Sequence, residues 1–88
     1  MPEFLVEQYI ASTDAPAVGL ALERARRGAA AVSTERSPVR CLRAIVVPED
    51  ETCLLLFEAQ RASAVRAAAQ AAGLRADRLV AAFTEAAT

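Results

Sequence analysis

Eighty-eight residues make one domain, at a length where a lone monomer's core is small and a partner surface is a natural source of further burial. Ten basic residues, all arginine, face eleven carboxylates for a formal net charge of -1, which excludes the one-sided basic surplus of a duplex nucleic-acid binder. Apolar types make up 55% of the chain, yet Glu7, Arg24, Arg43 and Glu58 interrupt every window that could approach the roughly 18 unbroken apolar residues of a membrane span.

Residues 3–10, EFLVEQYI, are rich in aromatic and β-branched types and read as a first strand. The opening stretch carries an acid at Glu3 and neither a basic n-region nor a small-residue cleavage site, so it does not read as a signal peptide, and a cytoplasmic location is the expectation. Next comes A-S-T-D-A-P, where Thr13 or Asp14 can cap a helix and Pro16 suits its first turn. Along 15–33, Val18, Leu22, Ala25, Ala29 and Val32 recur at helical spacing while Glu23, Arg24, Arg26 and Arg27 take the other side. Gly28 weakens this helix on propensity grounds. Ser37-Pro38 breaks the pattern.

Runs 39–47 and 52–58 are two β-type segments joined by Pro48-Glu49-Asp50-Glu51, which predicts an antiparallel hairpin. An alanine-rich helix spans 62–72, stopped by Gly73 as a left-handed cap with Leu74 folding back behind it. Arg78 to Phe83 form the last strand. The order is βαββαβ in a single domain over 1–88: a ferredoxin-like α+β fold, a four-stranded antiparallel sheet with two helices on one face.

A regular hairpin sorts the side chains. With Val47 opposite Thr52, Val46 pairs with Cys53, Ala44 with Leu55 and Leu42 with Phe57, and this wholly apolar set belongs under the helices. The second face then carries Cys41, Arg43, Ile45 and Val47 beside Leu54, Leu56 and Glu58, joined by Leu5, Glu7 and Tyr9 of the first strand. Such a face is too apolar for a monomer's open sheet surface. A second copy packed face to face would cover it, so a homodimer is expected, closing into a dimeric α/β barrel.

The segments FLVEQYI, CLRAIVVPEDETCLLLFEA, AVRAAAQAAGL and DRLV resemble the small bacterial ferredoxin-like proteins of a domain family of unknown function that includes a nickel-binding member. The most specific stretch is VVPEDETCLLLFEA, and the likeness runs over nearly the whole chain. The resemblance implies a dimeric α/β barrel and offers nickel, or another divalent metal, as a ligand.

Three constellations hold candidate chemistry. Glu49, Asp50 and Glu51 can present carboxylates to a hard cation, or with nearby Cys53 to a softer one; the plainer account is a solvated turn set by Pro48. Cys41, expected beside Glu58 on the second face, is a candidate soft metal ligand or reactive thiol, whereas Cys53 reads as a small core hydrophobe. On opposite faces, the two cysteines cannot bridge. Glu7, Tyr9, Arg43 and Glu58 share the second face, where one arginine against two carboxylates leaves an acid free for general acid or base work with Tyr9 orienting a ligand. Their plainer role is an ion-pair network that sets the register of the dimer. Arg24, Arg26, Arg27, Arg36 and Arg40 read as a solvated face offset by Glu23 and Glu35.

Two functions follow. The first is a non-enzymatic homodimer that binds a small molecule or a metal ion such as nickel, with no nucleic-acid or membrane partner. The second is a cofactor-free isomerase or monooxygenase acting inside the barrel, by analogy of fold alone. The chain contains no histidine, the commonest metal ligand and general base, and no nucleophile-base pair can be named, which counts most against the enzyme.

Overall fold

The computed structural model describes residues 1–11 and 14–85. Its elements are β1 (Glu3–Tyr9), α1 (Ala15–Val32), β2 (Val39–Val47), β3 (Thr52–Ala59), α2 (Ala62–Ala71) and β4 (Arg78–Ala82). The strands lie in the order β2-β3-β1-β4 with every neighbouring pair antiparallel, which is the ferredoxin-like α+β topology expected from the alternation of periodicities. Among the described residues, no helix is long and apolar enough to cross a membrane.

Local chemistry sets the ends of the helices. The Asp14 carboxylate accepts from the Ala17 N–H at 2.8 Å and Pro16 occupies the first turn, while Thr13, the alternative cap, lies outside the described residues. At the far end of α2, Gly73 adopts φ +68, its N–H donating to Gln70 O and that of Leu74 to Ala69 O, both at 3.0 Å. This paired 5→2 and 6→1 pattern is the Schellman motif, and Leu74 tucks against the core behind it.

Between the helices and the sheet lies the core. Phe57, Leu55, Val6 and Val65 are fully buried, each contributing about 1.5–3 kcal/mol of hydrophobic stabilisation. α1 buries Ala21, Ala25, Gly28 and Ala29, and α2 buries Val65, Ala68 and Ala69, so the two helices meet along small residues. Gly28 is more than a weak helix former here. A Cβ at that position would collide with the Ala68 carbonyl oxygen and come within 2.7 Å of Ala72 Cβ, so the close crossing of α1 and α2 needs a residue without one.

The hairpin register runs as expected from Val47↔Thr52 through Ala44↔Leu55 and Arg43↔Leu56, then slips. Beyond the slip Cys41 pairs with Phe57, Arg40 with Glu58 and Val39 with Ala59. Leu42 is the extra residue of a β-bulge, so the expected pairing of Leu42 with Phe57 and the placement of Cys41 beside Glu58 are both corrected. One inserted residue inverts the alternation beyond it. Cys41 therefore turns into the helix-covered core, and Arg40 turns out beside Glu58. The bulge lies on an edge strand, where the Arg26 guanidinium of α1 donates to Cys41 O at 3.4 Å and Leu42 O at 3.2 Å.

Candidate functional site

The face of the sheet opposite the helices is the most distinctive surface of the chain. Pairing sets its rungs: Ile45, Leu54, Glu7 and Arg78 share one, and Arg43, Leu56, Leu5 and Val80 share the next. Val47, Thr52 and Tyr9 close one end, and Arg40, Glu58 and Glu3 the other. Alternation puts these side chains on one side because Phe4, Val6, Cys53, Leu55 and Phe57 are taken by the core. Ile45 and Tyr9 remain 43% and 62% exposed.

Glu7, Tyr9, Arg43 and Glu58 all reach this face, as their parity predicts, but they do not converge. Glu58 is in an ion pair with Arg40 at 3.0 Å. The Tyr9 hydroxyl donates to Glu51 Oε2 at 3.0 Å, and its backbone N–H donates to Asp77 Oδ2 at 2.8 Å. Glu7 stands opposite Leu54 and Arg78, and Arg43 opposite Leu56; neither joins an ion pair among the described residues. The expected excess of acid over base also needs correction. The bulge turns Arg40 onto this face and β4 brings Arg78, so three arginines accompany Glu3, Glu7 and Glu58.

A phenol beside a carboxylate resists ionisation, and the hydrogen bond to Glu51, reinforced by its negative charge, raises the Tyr9 pKa above the ordinary 10.0. Burial pushes the Cys41 thiol up to about 11 against the opposing pull of the Arg26 guanidinium, and raises Cys53 as well. Both cysteines are free, buried and protonated near neutral pH. Cys41, expected as a ligand on the exposed face, belongs to the same core cluster as Cys53.

Glu49, Asp50 and Glu51 occupy the hairpin end, where Pro48–Asp50 forms a short 3-10 turn and all three acids are exposed. Glu51 takes the left-handed conformation at φ 49 and turns the chain back; its N–H donates to Pro48 O at 3.1 Å and its carbonyl accepts from Ile10 N–H at 2.9 Å. Cys53 points away into the core. Among the described residues, no three His, Cys, Asp or Glu side chains come together to hold a metal ion.

A recess of about 420 Å³ lies at the α1–β2 edge over Ala29, Val39 and Cys41, between Arg26 and Arg40. Both guanidiniums already have partners, Arg26 in the bulge carbonyls and Arg40 in Glu58. Spacing and charge put Arg26 and Arg40 on a solvated face, and both are exposed. Only the unmarked bulge gives them these roles, and nothing in VRCLRAIVV announces it. Comparison with protein-family models, curated proteins and solved structures finds nothing that matches this chain.

Proposed function

We propose that this chain is a non-enzymatic binding module that works as a homodimer, two open sheet faces meeting as a dimeric α/β barrel around a small organic ligand. One observation carries the reading: Leu5, Ile45, Val47, Leu54 and Val80 line up around the buried Leu56 on the sheet side away from both helices, Ile45 exposed and the other four half-buried. An apolar patch of that kind on a small domain marks an interaction site. The broad side of the molecule is large enough for one, since an ellipse with axes of 37 and 36 Å has an area of about 1,000 Å², against the roughly 800 Å² per partner of a standard interface.

An organic ligand is favoured over a metal by the placement of the donors. Cys41 is inside the core and Glu49, Asp50 and Glu51 are on an exposed turn, so the candidates for nickel do not share a site. Sedimentation equilibrium of the full chain is expected to return a dimer at micromolar concentration, and a monomer would overturn the reading. Calorimetric titration of chelator-stripped protein with nickel is expected to show no binding tighter than about millimolar, the range of the weakest protein metal sites. Tight binding abolished by Cys41→Ser would move the ligand class to metal.

A further inference from the structure

The homodimer proposed above leaves open how the two faces register, and the charges on the face answer that. Resting on that reading, we infer that Glu7 of each copy pairs with Arg43 of the other, so that two reciprocal ion pairs flank a leucine centre and fix the orientation of the dimer. Within one chain Glu58 holds Arg40, and Glu3 Oε1 accepts from the Thr84 hydroxyl at 3.0 Å, which leaves Glu7, Arg43 and Arg78 as the charged side chains of this face outside any ion pair or hydrogen bond among the described residues. Glu7, half-buried, and Arg43, exposed, have no such partner among the described residues.

Their spacing explains why they do not meet within one copy and how two copies bring them together. Glu7 is on β1 and Arg43 on β2, with β3 between them and one rung of offset, which places their Cα atoms about 12 Å apart. The midpoint of the line joining them falls on β3, between Leu54 and Leu56. A two-fold axis in the plane between two facing sheets, passing over that midpoint and perpendicular to the line, exchanges Glu7 with Arg43. It also lays the leucines of one copy over those of the other. This is the isologous arrangement of a two-fold interface, in which each residue meets its complement twice. Covering the face without such a match would strip water from a carboxylate and a guanidinium and give nothing in return.

Arg78 is the competing partner, since it stands across from Glu7 on β4 of the same chain. Both arginines are exposed on edge strands, and position relative to the apolar centre separates them. An axis between Glu7 and Arg78 would stand over the β1–β4 side and leave Ile45 on β2 uncovered, whereas the axis between Glu7 and Arg43 stands over β3.

Sedimentation equilibrium of Glu7→Arg, Arg43→Glu, the double charge swap and Arg78→Ala, beside the unaltered chain, tests the inference. Each single reversal is expected to raise the dimer dissociation constant about 100-fold or more, because like charges then face each other at two places. The double swap is expected to return it to within about tenfold of the original, and Arg78→Ala to leave it within about threefold. Circular dichroism of each variant confirms the fold, since both sites lie on the sheet surface. A dimer indifferent to the single reversals, one not rescued by the double swap, or one that depends on Arg78 instead would overturn the pairing while leaving the homodimer in place. A monomeric unaltered chain would remove both.

Discussion

Tyr9 is the only tyrosine in a chain without tryptophan, so its ionisation can be read without interference. Its hydroxyl donates to the Glu51 carboxylate, and removing the phenol proton would set two negative charges side by side. Ultraviolet titration is expected to give a midpoint above 10.0, and Glu51→Gln is expected to lower it; an identical midpoint in both proteins would show that the contact does not form in solution. The sign of the linked stability follows. The folded chain keeps the phenol proton at a pH where the unfolded chain has lost it, so this contribution is complete below pH 10 and fades as pH rises through the folded value. At Glu51 a non-glycine residue also holds the left-handed conformation, so one position both turns the hairpin and ties it to the end of β1.

At the scale of elements, two glycines of α1 make opposite predictions. Gly28→Ala places a methyl group against the Ala68 carbonyl and Ala72 at the crossing with α2, and is expected to lower stability by about 1–3 kcal/mol. Gly19 has nothing within 4 Å of an added Cβ, and Gly19→Ala is expected to raise stability by about 0.5–1 kcal/mol through helix propensity. Urea denaturation of the two variants checks both, and equal shifts would mean that the helices do not approach as closely as described. Six elements, the Asp14 cap and the Gly73 stop were legible because each carries its own local signal of periodicity or turn chemistry. The bulge was not. In VRCLRAIVV both faces are apolar enough that either register satisfies the alternation, and no glycine or proline marks Leu42. That ambiguity moved Cys41 from the candidate site into the core and brought Arg40 out. The site quartet was legible only as parity: Glu7, Tyr9, Arg43 and Glu58 reach the expected side, while their partners depend on the bulge and on side-chain reach.

For the whole molecule, the layered build dictates where a partner can act. Helices occupy one side of the sheet, and the thinnest dimension, 19 Å, has room for a single helix layer on a twisted sheet. Ile45, 43% exposed on the β2 side of the bare face, can accept a carboxylate in an isolated chain at little cost, yet the same change would bury a charge once that face is covered. Ile45→Glu is therefore expected to preserve the circular dichroism spectrum while abolishing dimers in sedimentation. Dimers that survive this change would assemble through some other surface.

The hold of Arg26 on the carbonyls of Cys41 and Leu42 bears on what else this chain could assemble into. A sheet margin with free peptide groups invites another ribbon to zip alongside it, and such additions have no natural end: they grow fibrils. On the β2 margin the kinked backbone and the guanidinium occupy the place an incoming ribbon would need, and on the β4 margin the template is only five residues long. Sideways polymerisation is thereby discouraged at both borders, and a chain that is greasy on its flat side can remain dispersed at working concentrations.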